Sequence, residues 1–319
     1  MGRSEDKKLL IMTGFSCNNN CIFCSIRPNA KNNPDRSTEK ILENLKQGIK
    51  QGYKRIEFTG GEPTIRPDIF FLIKTARDLG YKKIEISTNG RFFSSKEFCQ
   101  RAVESGLGAV YFTLNSFNSR LGDAISRTPG SFEQTVSGIR NVLNYHDLNA
   151  AVNTVVTKIN CRHLSKIGEY IADLGIKQWN ILDLIPAGNA EKFYKNLSLK
   201  IPVLSAELNK IRKIRHKFES IGLFDFSLCL FSPRFFADKE FYFMTAKRKA
   251  QVINQVGYNP NRFRNGCGKT VEDCHKRRIE ICKFCRFSDS CGGVWKNYLK
   301  LYGDEEIKIL AEKNNCILR

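Results

Sequence analysis

The sequence predicts an α/β protein: a parallel sheet with crossover helices, curled into an open or closed barrel, then a small cysteine-rich C-terminal domain. Three observations predict it. Short apolar runs alternate with amphipathic stretches six times, at roughly thirty residues per unit, as a parallel sheet with crossover helices requires. Right-handed crossovers curl such a sheet, and six units are fewer than the eight of a closed barrel. Finally, seven of the twelve cysteines fall after position 228.

The units follow in order. Leu9-Leu10-Ile11-Met12 reads as a buried first strand. Thr38–Gln51 places Ile41, Leu45 and Ile49 at four-residue spacing, an amphipathic helix. Arg55–Thr59 is the second strand, and a helix opens at Pro67, with Pro near the first helical position and Gly80 after its end. Strand Lys83–Ser87 precedes helix Ser95–Ser105, and strand Ala109–Leu114 precedes helix Ser131–Tyr145. Ala151–Thr157 is a strand, Leu164–Leu174 a helix and Trp179–Ile185 the sixth strand. Asn189–Lys200 reads as a polar linker, and Leu204–Phe218 as a helix with a basic, solvated outer face. The expected divisions are a barrel over 1–190, a basic linker-helix region over 191–222 and a cysteine-rich domain over 223–319.

The most informative stretch is Gly14-Phe15-Ser16-Cys17-Asn18-Asn19-Asn20-Cys21-Ile22-Phe23-Cys24. Three thiolates in one short loop suit tetrahedral zinc poorly, because structural zinc sites are closed by four ligands. They suit a [4Fe-4S] cluster with one iron left free of protein. Three buried structural thiols would be the bland alternative, but an Asn-rich polar loop is not a core pattern. Gly60-Gly61-Glu62-Pro63 follows the second strand. Its glycines let backbone approach a ligand closely, and Glu62 can accept a hydrogen bond from a ligand ammonium.

Composition narrows the classes. Hydrophobic residues are 41% and charged residues 26% of 319, an ordinary soluble composition, and no apolar run approaches the roughly 18 residues of a membrane span. The first eight residues lack the apolar region of a signal peptide, so a cytoplasmic protein is expected. Twelve cysteines in a reducing compartment argue for metal ligation rather than disulfides. The formal charge of +20 favours anionic partners, and residues 201–319 carry as large a surplus as the first 200.

The cysteine loop, with an aromatic before its third cysteine, resembles the signature of the radical S-adenosylmethionine (radical SAM) enzymes. The resemblance implies a partial (β/α)6 TIM-type barrel. Cys17, Cys21 and Cys24 would hold the [4Fe-4S] cluster, whose free iron would chelate the amino and carboxylate groups of SAM. One electron would then cleave the sulfonium bond, giving methionine and a 5'-deoxyadenosyl radical. Phe23 would pack near the adenine, and Gly60, Gly61, Glu62 and Pro63 match the motif for the SAM amino group. Asn89, in Thr88-Asn89-Gly90, resembles a common family turn. Ser116 and Arg127 lie in a segment resembling the one that touches the ribose and carboxylate. Asn153 and Pro186 also have family counterparts. Turn chemistry is the alternative reading for each of these softer matches.

Cys229, Cys267, Cys274, Cys282, Cys285, Cys291 and Cys316 form the late group. Cys282-x2-Cys285-x5-Cys291 resembles the auxiliary-cluster domain appended to many radical SAM enzymes, in its long (SPASM) or short (twitch) form. The long form has a further cysteine four residues after the third, where this chain has Trp295. At least one auxiliary [4Fe-4S] cluster is expected, with Cys316 or Cys229 as fourth ligand. Cys267 and Cys274 would hold a second, incomplete cluster or zinc, and zinc for the whole group is the alternative. Cys99 and Cys161 read as core residues.

Enzymes of this architecture often modify ribosomally made peptides or proteins, so a peptide or protein is the expected substrate. Only sixteen residues precede Cys17, so any leader peptide would be read elsewhere or by a separate protein. RNA or nucleotide modification is the second reading, from the charge. An iron–sulfur electron carrier or basic binding protein is the non-enzyme reading. A flavodoxin or ferredoxin is the expected reductant.

Overall fold

The computed structural model describes residues 7–26, 34–245, 253–256 and 275–317. The chain falls into two compact units. The first comprises the described residues of Met1–Leu114, Asn118–Asn153 and Gln251–Asn259; the second those of Asn115–Phe117, Thr154–Ala250 and Pro260–Arg319. The division falls at the fifth strand.

In the first unit β1 (Lys8–Met12), β2 (Arg55–Thr59), β3 (Lys83–Thr88), β4 (Ala109–Thr113) and the start of β5 (Asn149–Val155) pair in parallel in chain order. Ile11, Phe58, Ile86 and Val110 lie level with one another across four strands, each almost without solvent exposure. The four share one apolar face of the parallel sheet, while the alternate positions of β2 and β3, among them Arg55, Glu57 and Glu85, place polar side chains on the other. Burying a side chain such as Phe58 contributes roughly 1.5–3 kcal/mol, so Phe58→Ala would open the centre of this layer. Helix Thr38–Lys50 begins where the Ser37 hydroxyl accepts from the Lys40 N–H at 3.3 Å, and it buries Ile41, Leu45 and Gly48. Strand Ile253–Val256, absent from the expected set, pairs in parallel with β1.

A buried charge cluster joins β1 to β4. The Lys8 ammonium bonds the Glu57 carboxylate and lies 3.4 Å from Glu85. Arg55 donates to Glu85 at 2.7 Å and to the Tyr111 hydroxyl at 3.0 Å. Burial opposes the Lys8 charge, but the two carboxylates outweigh it and hold its pKa above the ordinary lysine value.

In the second unit β6 (Gln178–Leu182), β7 (Ser220–Phe224) and β8 (Phe241–Met244) continue the parallel pattern. The last two strands exceed the six expected from the sequence. Gly222 sits level with Asn180 on one side and Tyr242 on the other, and the Tyr242 hydroxyl donates to Asn180 Oδ1 at 2.7 Å. A Cβ at 222 would stand 2.6 Å from each of those two side chains, so glycine is what lets them meet across β7. The architecture is therefore α/β, a partial barrel with more strands than six.

Two expectations are corrected. The segment read as a linker is packed: Gly188–Lys192 and Tyr194–Leu197 are short helices, and Tyr194 and Leu197 are buried. The basic helix runs Ile201–Ile211, starting earlier because Pro202 sits in its first turn and ending before most of its basic residues. Those basic residues are partly paired rather than simply solvated: Arg212 and Arg215 both engage Asp238, at 2.6 and 3.4 Å.

Candidate functional site

The loop carrying Cys17, Cys21 and Cys24 leaves β1 and is fastened from several directions within the first unit. Asp35 Oδ1 accepts from the backbone N–H groups of Phe15 and Ser16, at 2.6 and 2.9 Å. Those N–H donors hold the Asp35 carboxyl below its usual value against the opposing effect of burial. The Asn20 and Ile22 N–H groups bond the Ser126 and Ile125 carbonyls at 3.0 Å, and the Cys24 N–H turns back to the Cys21 carbonyl at 3.2 Å. Arg91 reaches the Asn18 carbonyl at 2.5 Å.

The two glycines after β2 serve this loop. The Gly61 and Glu62 N–H groups donate to the Gly14 and Ser16 carbonyls, both at 2.8 Å. A Cβ on Gly61 would stand 2.0 Å from the Ser16 carbonyl oxygen. One on Gly60, whose φ is +134°, would stand 2.6 Å from that of Gly14. Both glycines are in close backbone contact with the cysteine loop.

Glu62 follows these glycines. It is 3% exposed, and both carboxylate oxygens accept from the protein. Oε1 takes the Thr64 N–H at 3.0 Å and the Thr64 and Thr88 hydroxyls at 2.6 and 2.7 Å; Oε2 takes the Asn89 N–H at 2.6 Å. Burial raises the Glu62 pKa against these donors. Its role in this geometry is to lock the β2 and β3 turns together, with Pro63 opening a short 3-10 turn.

Asn89 is tied to the same loop. Its Nδ2 donates to Asn18 Oδ1 at 2.6 Å and lies 3.8 Å from Cys17 Sγ, which also accepts from the Asn19 N–H at 3.3 Å. Donors aimed at a sulfur favour its thiolate, the form that ligates iron. The residues therefore fit a thiolate-held cluster. Phe23 lies in the loop, Arg127 ends helix Ser119–Ser126 with φ +53°, and Asn153 is level with Thr113 on β4. Ser116 and Pro186, both buried, belong to the second unit. Sequence reasoning missed Asp35 and Arg91, lone charged residues without a motif.

The second unit gathers the late cysteines. Cys229, Cys282, Cys285 and Cys291 line one recess of about 450 Å³, open in part to solvent, with Phe287 and Ile317 among its walls. The Phe287 and Gly293 N–H groups donate to the Cys285 and Cys291 sulfurs at 3.5 and 3.4 Å. Burial, then the neighbouring thiols, pushes the Cys229 thiol well above its usual value. None of the described cysteines is in a disulfide, and among the described residues no three His, Cys, Asp or Glu side chains converge as one metal ion requires. Cys267 and Cys274 lie outside the described residues. Cys99 and Cys161 are wholly buried as expected, and burial pushes their thiols up to about 11 and about 12.

A parallel barrel whose first loop presents three cysteines defines a class, and comparison with known proteins agrees. Residues 11–160 match the Radical SAM superfamily. This part of the chain is a radical SAM domain, which marks the protein as an enzyme, and that family uses a [4Fe-4S] cluster and SAM. It is 28% identical over 219 residues to a probable GTP 3',8-cyclase of Sulfurisphaera tokodaii, covering 68% of each chain. A probable GTP 3',8-cyclase of Saccharolobus solfataricus is 26% identical, over 67% of this chain and 65% of its own. Among solved structures, Streptococcus suis SuiB bound to precursor peptide SuiA superposes with a TM-score of 0.56 at 15% identity, over 82% of this chain and 55% of that one. The enzyme anSMEcpe with bound AdoMet and a peptide gives 0.56 at 19% identity, over 67% and 63%. The chain thus spans about two thirds of the curated relatives and little over half of SuiB. Among the described residues no helix is long and apolar enough to cross a membrane.

Proposed function

We propose that this enzyme binds SAM on a [4Fe-4S] cluster held by Cys17, Cys21 and Cys24 and modifies a peptide or protein. The observation that carries the reading is the fastening of the Cys17 loop by the Gly60–Glu62 turn and by Asn89. When bound, the cluster and SAM supply a 5'-deoxyadenosyl radical that removes a hydrogen atom from the substrate. The chain's own part is to fix geometry. Gly60 and Gly61 press the second strand's turn against Gly14–Ser16, Glu62 immobilises that turn, and Asn19 and Asn89 stabilise the Cys17 thiolate. Phe23, Pro63, Arg127 and Asn153, with Ser116 and Pro186, are assigned to SAM on the family resemblance.

The recess around Cys229, Cys282, Cys285 and Cys291 is assigned to an auxiliary [4Fe-4S] cluster. A peptide substrate is supported by that cysteine-rich element and by the fold shared with the peptide-bound enzymes. A nucleotide substrate is the second reading, supported by the names of the curated relatives and by the +20 charge. A flavodoxin or ferredoxin would deliver electrons. Incubating the reduced, reconstituted enzyme with SAM and either peptide pools or GTP separates the two. A peptide-dependent rise in 5'-deoxyadenosine supports the first reading, and a GTP-dependent rise replaces it with the second.

A further inference from the structure

We propose that the surface carrying Arg277, Phe284 and Arg286 docks a small acidic one-electron carrier protein, which delivers its electron to the group held in the cysteine recess of the second unit. The inference rests on the auxiliary-cluster reading above and adds where the reductant lands.

Charge is the first observation. Residues 246–286 hold eleven lysines and arginines against three acids, so this stretch supplies much of the +20 surplus. Within it Arg277, Arg278, Lys283 and Arg286 are exposed. Lys283 is neutralised by Glu280 at 2.6 Å. Among the described residues no carboxylate pairs with Arg277, Arg278 or Arg286, whereas Arg55, Arg66 and Arg212 each engage one, at 2.7, 2.8 and 2.6 Å. Three unpaired guanidinium groups so close in sequence set up a positive field that an acidic surface neutralises, and such fields steer encounter.

The same stretch offers aromatic surface. Phe284 is 58% exposed. The Arg286 guanidinium lies 4.7 Å from the centre of the Phe287 ring and 6.0 Å from that of Phe236. Phe236 in turn stacks with both Phe287 and Phe243, at 4.8 and 4.6 Å. These rings hold the guanidinium in place without cancelling its charge. Arginine and aromatic side chains fixed in this way are the usual anchors of protein interfaces. A charged patch around one exposed ring suits the small, transient contacts of redox proteins better than a permanent complex.

Position selects the partner. Arg278 and Phe287 line the recess together with Cys282 and Cys285, and Arg278 reaches the Cys291 carbonyl at 3.5 Å. Phe284 directly precedes Cys285 in the chain. A carrier seated here is therefore separated from the recess by few side chains. A thiolate-held cluster is itself anionic, and Arg278 in the wall can balance it. Arg277 and Phe284 are outside those walls and remain for the partner. On contact the reduced carrier loses one electron and the group in the recess gains it; no bond is made or broken. Single-stranded RNA also favours arginine beside aromatic rings, but it has no electron to give and no need of a place beside the recess.

The test mixes a photoreduced flavodoxin with the anaerobically reconstituted full chain and follows flavin oxidation by stopped flow. Arg277→Glu and Phe284→Ser are placed separately in the Cys17→Ala/Cys21→Ala/Cys24→Ala chain, where only the late site can take the electron. Each should slow the second-order rate at least about tenfold, and raising salt from about 50 to about 300 mM should slow the parent more than Arg277→Glu. In the otherwise wild-type chain the same substitutions should leave iron content and dithionite-driven 5'-deoxyadenosine formation unchanged. Equal rates in parent and variants would overturn the proposal, as would a triple-alanine chain that holds its late iron yet takes no electron. Binding of single-stranded oligouridine that is lost in Arg277→Glu, with flavin oxidation unaffected, would give the surface to RNA instead. A triple-alanine chain without late iron would overturn the auxiliary-cluster reading itself.

Discussion

The Trp295 indole N–H donates a 2.7 Å hydrogen bond to Asp183 Oδ2, just past the end of β6. The Lys276 ammonium stands 4.4 Å from the centre of the Trp295 ring and bonds the Asp225 carbonyl. Trp295 occupies the position where the long auxiliary form has another cysteine, and here it is 4% exposed and engaged on its edge and face. Trp295→Cys should therefore add no cluster. It should instead destabilise the protein by about 3 kcal/mol or more, as loss of a large buried aromatic does. Iron content and the thermal midpoint of the reconstituted variant check this.

Asp183 gives that contact a pH signature. Burial foremost raises its pKa to about 6, against the lowering effects of Lys276, the Trp295 bond and the Leu184 N–H. The unfolded value is near ~3.9, so between pH 4 and 6 the folded state holds a proton that the unfolded state has lost. Its contribution is thus most favourable below about pH 4 and is lost as pH rises through about 6. At about 1.4 kcal/mol per unit, the change is at most about 3 kcal/mol, and partial exposure of Asp183 lowers it. Asp183→Asn should flatten this segment of the stability profile, measured by anaerobic denaturation from pH 4 to 7.

Glu62→Gln puts an amide donor among four protein donors. One or two buried groups then lose their acceptor, at about 1–3 kcal/mol each. The affinity for SAM should fall at least about tenfold while the auxiliary iron stays, because the turn shifts and the late ligand set is separate. Calorimetric titration of the reconstituted enzyme with SAM reads the first effect, and iron analysis the second.

Gly61→Ala sets a methyl group against the Ser16 carbonyl, at the 2.0 Å clash described above. The Cys17 loop must then move. Iron bound by the barrel should drop, shown by analysis of Gly61→Ala beside wild type, whereas an unchanged iron content would show that the turn does not position the loop.

Glu57→Ala leaves the largely buried Lys8 ammonium with Glu85 as its one carboxylate partner, at 3.4 Å. Removing the partner of a buried charge costs about 3–5 kcal/mol when none is left, so the loss here should fall below that range. Glu57→Ala together with Lys8→Met should recover much of that loss in a denaturant midpoint measurement.

The first six strands are legible because each is an apolar run bounded by turn residues. The later strands are harder to see. Ser220–Phe224 carries Gly222 at its centre, which weakens the local signal and makes sense only once Asn180 and Tyr242 are seen on either side. Cys17, Cys21, Cys24 and the Gly60–Glu62 turn announce themselves by spacing, yet the use of the glycines against Gly14–Ser16 is a contact between distant segments that no local pattern encodes. Asp35, Arg91 and Asp183 are single charges whose role exists only in three dimensions.

The most direct test is anaerobic reconstitution followed by addition of SAM and dithionite, with 5'-deoxyadenosine read by mass spectrometry for wild type and for the Cys17→Ala/Cys21→Ala/Cys24→Ala variant, each in the presence of peptide and GTP pools. The account predicts 5'-deoxyadenosine from the wild type only, with the variant keeping the late iron. Formation of 5'-deoxyadenosine by the triple variant, or its absence from the wild type in every pool with iron fully loaded, would contradict it.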